Sequence, residues 1–202
     1  MPEKAVMISI RSEWCSLISQ GKKTVEVRKT RPKLETPFKC YIYCTKGMAK
    51  NKAYSFKTWS ALGKVMGEFV CNKITTASVR LHDVSGWYVD CMHSLNGSML
   101  SETDVLSYAP KEDAVIYGWH ISDLKIYDKT KRLCEFSVSD NAAVQKCIHR
   151  QNVCQPEYVT NDCGWLKGSY ICHKNGEPDW CTKCKTKPLK RPPQSWCYVE
   201  ET

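Results

Sequence analysis

Apolar positions in this chain fall mostly in short runs separated by polar, turn-forming stretches, and few segments carry a helical period. Val6 to Ile10 is an apolar run that reads as a strand. Directly after it, Trp14, Leu17 and Ile18 recur at i, i+3 and i+4, which predicts a short helix with Ser12 as N-cap and Gly21 at its C-terminal stop. Thr24 to Arg28 alternates strictly: Val25 and Val27 point one way, and Thr24, Glu26 and Arg28 the other. Pro32 and Pro37 make the Arg31 to Pro37 stretch a loop. Cys40 to Cys44 is a β-rich run, and Lys46 to Ser60 is polar, basic and aperiodic, as a loop would be. Gly63 to Ile74 alternates again, with Val65, Phe69 and Cys71 inward. Ser101 to Tyr108 predicts a second short helix, with Ser101 and Asp104 as a variant capping box. Ala114 to Tyr127 is the longest β-rich run, and Trp196 to Val199 reads as a closing strand. The fold class expected is α+β and mainly β: a small barrel with flanking short helices.

The texture changes after about Lys131. Residues 147 to 197 hold seven of the thirteen cysteines, apolar periodicity is poor, and Gly, Asn and Asp are frequent. The organisation expected is a barrel over 1–135, a cysteine-rich insertion over 136–187, and a segment over 188–202 that returns to the barrel. A chain of 202 residues suits one core with such an appendage.

Charge sharpens this picture. The formal net charge is +9, and Gln20 to Ser60 alone carries eleven Lys/Arg against Glu26 and Glu35. The rest of the chain therefore sums to zero. A field confined to one fifth of the sequence points to a polyanionic partner. With 42% apolar and 25% charged residues, the chain has the composition of a globular protein, not of a disordered one. No apolar stretch long enough to span a membrane is present, and the N-terminus lacks an apolar signal-peptide region. A cytoplasmic, reducing location is expected, in which an odd number of cysteines stays mostly unpaired.

An apolar strand at Ile8-Ser9-Ile10, a short helix, and then Gly21-Lys22-Lys23-Thr24-Val25-Glu26-Val27-Arg28 resemble the ASCH domain family, whose strand–helix–GxKTxExR order they share. The GKVMGEFVCNKI, GWHISDLKIYD and RPPQSWCYVEE blocks are also similar to ASCH sequences from phages and gut bacteria. The resemblance covers roughly residues 4–130 and 188–200. It implies a PUA-like barrel with a cleft for RNA, a nucleotide or a nucleoside. It also implies that some members are enzymes, among them an amidohydrolase of acetylated cytidine and a ribonuclease. The catalytic Lys of the amidohydrolase subgroup falls on Lys23, but its nucleophilic Thr falls on Glu26, and Glu68 is the nearest match to its Glu. A carboxylate does not replace a hydroxyl nucleophile in amide cleavage, so binding is expected ahead of catalysis.

The residue types on the TVEVR strand suit a site with both signs of charge. If the protein is an enzyme, Lys23, Glu26 and Arg28 are the candidate catalytic residues: Glu26 as base, Arg28 as a bidentate grip, Lys23 as an oxyanion partner. A surface ion pair between Glu26 and Arg28 is the plainer alternative. Nucleic-acid contacts are expected from Lys22, Lys23, Thr24, Arg28, Lys29, Arg31 and Lys33. Arg191, Gln194, Ser195 and Trp196 join them on a proline-stiffened segment, with Trp196 as a stacking face. His120 is expected to be structural.

In the appendage, Cys181 and Cys184 form a CxxC, with Cys172 and Cys163 upstream. Thiolates at that spacing grip a tetrahedral ion from one turn, so structural zinc on Cys163, Cys172, Cys181 and Cys184 is expected. Free thiols, a redox pair and an iron–sulfur site are the alternatives. With seven Lys/Arg against five acids, residues 136–187 need not face nucleic acid and are free to contact a protein partner.

Overall fold

The computed structural model describes residues 5–47, 60–84, 86–139, 171–172, 177–178 and 186–201. Strand β1 (Ala5–Ile10) leads into helix α1 (Ser12–Ser19), and β2 (Val25–Arg28) and β3 (Phe38–Cys44) follow. Next come the long β4 (Val65–His82), β5 (Gly86–Asp90), helix α2 (Glu102–Tyr108) and β6 (Val115–Lys131). Then come β7 (Phe136–Ser139), the two-residue β8 (Ile171–Cys172) and β9 (Glu177–Pro178), β10 (Thr186–Pro188) and β11 (Trp196–Glu201).

One sheet of nine strands organises the described residues, in the order β10-β7-β11-β1-β3-β4-β6-β2 with β5 against β4. β1 runs parallel to β3 and antiparallel to β11, so the chain's two ends meet in the middle of the sheet. The closed barrel expected from the sequence is corrected to an open sheet: among the described residues no ladder joins β2 to β1 or to β10. The β4–β6 pairing slips at Val65/Gly67, Glu68/Val70 and Cys71/Ile74, and such bulges bend and twist the sheet; between β2 and β1 the bond is a side-chain one, from Arg28 to the Ser9 carbonyl.

The core has three parts. On one face of β1, β3 and β4, Ile8, Ile42 and Phe69 pack with Trp119 of β6 beneath Cys15 and Ile18 of α1. On the other face Met7, Tyr41 and Val65 pack against Phe136 and Leu189. A third cluster, with Val79, Leu95, Val105 and Ile116, seats β5 and α2 at the far end of β4. Every residue of β1 is therefore buried, the odd positions on one side and the even ones on the other.

Helix α2 has the expected start: Ser101 Oγ accepts from the Asp104 N–H, and the Asp104 carboxylate accepts from the Ser101 N–H, a capping box. Helix α1 departs from expectation. Arg11 holds its N-cap position without a side-chain bond, and Ser12 lies inside the first turn with its hydroxyl donating to the Gly47 carbonyl at 2.7 Å. The expected cysteine-rich insertion lies largely outside the described residues, while strands β7 and β10 at its two ends belong to the main sheet. Among the described residues no helix is long and apolar enough to cross a membrane.

Candidate functional site

The site begins where α1 ends. Gly21 takes φ +71 and its N–H donates to the Ile18 carbonyl, while the N–H groups of Lys22 and Lys23 both donate to the Leu17 carbonyl. The chain is thereby folded back under the helix C-terminus. The next two N–H groups, of Thr24 and Val25, both donate to the Gly97 carbonyl at 2.9 and 3.2 Å. These bonds turn the Lys23 side chain inward and set the register of β2.

Lys23 is 2% exposed and Glu26 5%, unusual values for charged residues. Lys23 Nζ donates to the Ser98 carbonyl at 2.7 Å, lies 3.4 Å from Glu26 Oε2 and sits 5.0 Å from the centre of the Trp14 ring. Burial lowers the Lys23 pKa from its ordinary value, with the Glu26 carboxylate opposing the shift. Glu26 Oε1 lies 3.0 Å from Arg28 Nη2, and that same nitrogen donates to the Ser9 carbonyl at 2.6 Å. The plainer expectation, an exposed pair of little consequence, is corrected: both partners are enclosed.

Two atoms of this group are left over. Glu26 Oε2 and Arg28 Nε are buried and have no hydrogen-bond partner among the described residues. Glu26 Oε2 still has the Lys23 ammonium 3.4 Å away, whereas Arg28 Nε has no partner, an omission that costs about 1–3 kcal/mol. One is an acceptor and the other a donor, and both residues line a cleft of about 1160 Å³.

Ser9 builds the opposite wall. Its N–H donates to the Ser195 carbonyl at 2.9 Å and its hydroxyl to the Pro193 carbonyl at 2.7 Å, which pins the Arg191–Ser195 segment to β1. Cations dominate the lining: Arg11, Lys23, Arg28, Lys46, Lys190 and Arg191 against Glu26 and Asp104. Asp104 is already engaged in its capping box.

Of the residues singled out in the sequence, Lys23, Glu26, Arg28, Arg191, Gln194 and Ser195 meet on this lining. Lys22, Thr24, Lys29, Arg31 and Lys33 are exposed and are not among the lining residues. Lys29 Nζ stands 4.6 Å over the ring of Tyr108, itself a lining residue. Lys33 N–H donates to the Tyr198 hydroxyl. Trp196 is partly buried. Its ring packs 6.0 Å from that of Trp119, and its Nε1 donates to Thr30 Oγ1. Glu68 lies away from the cleft, where Tyr127 donates to it at 2.5 Å and Lys39 stands 3.7 Å off. His120 pairs with Thr75 Oγ1 at 3.0 Å. Burial and then the nearby charge of Lys73 lower its pKa.

Ser9, Ser98 and Trp14 are site residues that the sequence did not single out as such. Ser98 contributes only a backbone carbonyl, which carries no residue-specific signal, Ser9 adds its hydroxyl to its backbone groups, and Trp14 stood only as a core position of α1. Cys163, Cys181 and Cys184 lie outside the described residues, and Cys172 is described only as backbone in β8. Among the described residues no cluster of three or more His, Cys, Asp or Glu side chains is arranged to hold a metal ion.

A family model described as the ASCH domain matches residues 8–133. Among solved structures, the ASCH protein of Zymomonas mobilis is similar at 18% identity, with 81% of this chain and 87% of that chain covered and a TM-score of 0.43. One point variant of that protein gives 18% identity, 81% and 90% coverage and a TM-score of 0.44. Another gives 19%, 83% and 92%, and 0.46. No curated protein matches the chain.

Proposed function

Because the chain belongs to the ASCH domain family, we propose that it binds RNA in the Lys23–Glu26–Arg28 cleft, with one plain or modified base set against Glu26 and Arg28. The observation that carries this reading is the enclosed Lys23–Glu26–Arg28 group on the cleft lining, in which Arg28 Nε has no partner and Glu26 Oε2 has only the Lys23 ammonium at 3.4 Å. A nucleobase edge with an exocyclic amine beside a ring nitrogen or carbonyl offers a donor to the carboxylate and an acceptor to the guanidinium. The surplus of lining cations supports a phosphate-bearing ligand. Gln194, on the stiff segment held by Ser9, adds a hydrogen-bonding group on the far wall. Fluorescence anisotropy with short single-stranded RNAs tests the reading. Affinity falls with salt, and Glu26→Gln weakens cytidine-containing oligomers more than uridine-containing ones. Absence of binding at low salt, or binding insensitive to salt, refutes it.

A hydrolytic reading, acting on a modified nucleoside such as acetylated cytidine or on RNA, has one observation in its favour: burial lowers the pKa of Lys23 beside Glu26. Turnover of acetylated cytidine and RNA cleavage are to be compared in wild type and Glu26→Gln. Equal rates remove Glu26 from any such mechanism.

The sequence spacing also supports structural zinc on Cys163, Cys172, Cys181 and Cys184. Metal analysis of the purified full chain is expected to find one zinc per chain, lost when Cys181→Ser and Cys184→Ser are combined.

A further inference from the structure

The cleft that holds Glu26 is also lined by Lys46, Gly63 and Leu133. A second cavity, of about 690 Å³, is lined by Lys64, Lys129, Thr130, Lys131, Arg132 and Glu135. Gly63 and Lys64 are consecutive, as are Arg132 and Leu133, so each of these two steps of backbone has one residue in either cavity. The cavities are two sides of one low wall.

Backbone bonds hold that wall in place. Gly63 N–H donates to the Cys44 carbonyl at 2.8 Å, and Cys44 N–H to the Lys64 carbonyl at 2.9 Å. Gly63 takes φ +75 and lies under Lys46, whose Cε is 2.8 Å from where a Cβ would stand. On the other strand the Arg132 N–H donates to Glu135 Oε1 at 2.7 Å, so the cavity's carboxylate is committed to the turn. Lys131 Nζ stands 4.9 Å from the Tyr127 ring. What remains is a mainly cationic surface: Lys64, whose Nζ also donates to the Ser60 carbonyl at 3.3 Å, Lys129, Lys131 and Arg132 against Glu135. Lys64, Lys129 and Arg132 are exposed. It adjoins the cation-lined cleft through the consecutive pairs Gly63–Lys64 and Arg132–Leu133.

A nucleoside fills one pocket and leaves the second cavity unused. A string of cations running out of a base-sized pocket matches a phosphodiester chain, whose charges repeat along its length. Resting on the reading of the cleft as an RNA site, we propose that Lys64, Lys129 and Arg132 hold the backbone of the same strand. The ligand is then a single-stranded oligonucleotide several residues long, not a free nucleoside. One base is splayed into the cleft, and the flanking phosphates cross the Gly63–Lys64 wall.

Anisotropy on the full chain tests this with two probes, a labelled single-stranded RNA of twelve nucleotides and a dinucleotide. Lys64→Ala, Lys129→Ala and Arg132→Ala are combined in one variant. Its affinity for the long probe falls on the order of tenfold at low salt, and the salt slope becomes shallower by about 2, since each phosphate contact on a single strand contributes about 0.7. The advantage of the long probe over the dinucleotide shrinks accordingly. Lys129→Glu alone gives a larger loss than Lys129→Ala, which serves if the triple variant folds poorly. If the variants bind the long probe with unchanged affinity and slope, the track is refuted while the cleft reading stands. If the wild type binds neither probe, the cleft reading falls and the track with it. Competition by poly-glutamate as effective as that by unlabelled RNA reassigns the surface to an acidic protein segment and overturns the proposal.

Discussion

Arg28 Nη2 lies 2.6 Å from the carbonyl oxygen of Ser9, so the last residue of β2 reaches the strand that stands four places away in the sheet order. A barrel would join these strands by a ladder of backbone bonds. Here a side chain crosses the gap instead, and the gap is the cleft. The link across the gap and the proposed ligand contact thus fall on the same guanidinium, which also faces Glu26. The arrangement explains how an open sheet keeps a defined pocket: Ser9 ties β1 to Arg28 on one side and to Pro193 and Ser195 on the other.

Replacing Arg28 tests this coupling. Lysine has no planar fork, so Arg28→Lys cannot satisfy Ser9, Glu26 and a ligand from one head group. Arg28→Met leaves the Glu26 carboxylate buried with Lys23 alone. The expected losses in stability are about 1–2 kcal/mol for lysine and about 3 kcal/mol or more for methionine, as for other broken buried pairs. Urea denaturation reads both. Midpoints equal to wild type would show that the pair carries no structural weight.

Gly97 sets the register of β2 and allows no side chain. Its φ is +88, and an added Cβ would stand 2.2 Å from Thr24 Oγ1. Gly97→Ala is expected to cost about 2 kcal/mol or more, from strain and collision together. Thr24→Ala removes the collision but not the strain. A double-mutant cycle in urea is therefore expected to show the pair less damaging than the sum by about 1 kcal/mol. Additive effects count against the contact.

The sequence carried the strands that keep a constant period and missed those that do not. β1 and β3 were visible as apolar runs because both their faces are buried. β4 was legible only to about Ile74, because its continuation TTASVRLH buries only Ala77 and Val79 and reads as polar. β5 was missed. It exposes Trp87 and Tyr88 at 47% and 39%, so its residues carry no inward–outward contrast to read. On β2 the alternation was real but its meaning was not. Glu26 shares a face with Arg28 as expected, yet that face is roofed by Ser9 and the Arg191–Ser195 segment, which are remote in sequence. The depth of Lys23 was hidden for the same reason, since the carbonyl that receives it belongs to Ser98.

The described cysteines are expected to separate by reactivity. Cys91 and Cys134 are exposed, whereas Cys15, Cys40, Cys44 and Cys71 are buried. Burial pushes the Cys71 thiol up to about 11 and raises Cys15 and Cys40 as well. With iodoacetamide at mildly alkaline pH, Cys91 and Cys134 are labelled first, and Asp90 slows Cys91 by accepting its S–H and by its charge. Peptide mapping over time gives the order. Labelling of Cys15 or Cys71 at the rate of Cys134 would contradict the core described above.

The sharpest test of the site is the pH dependence carried by Lys23. Its pKa in the folded protein lies below the ordinary value of 10.5, chiefly because burial disfavours the charge. Between the folded value and 10.5 the unfolded chain binds the more protons, so the Lys23 contribution to stability rises with pH across that window. Below the window both states are protonated and the cost of burying the ammonium is present in full. Cys71 and Cys197 work against this. Their folded values, about 11, exceed the ordinary 9.0, so from 9 to 11 the unfolded chain holds fewer protons and stability falls. The wild-type curve alone mixes both slopes. The difference between wild type and Lys23→Met isolates the first, because the thiols are common to both. Urea unfolding from about pH 7 upward is expected to show that difference level at first and then moving in favour of the wild type as pH approaches 10.5. Over the same range RNA affinity is expected to decline in the wild type more than in Lys23→Met, as the ammonium that faces the cleft is lost. A difference that stays level throughout would mean that Lys23 is solvated, and the enclosed Lys23–Glu26–Arg28 group would have to be abandoned.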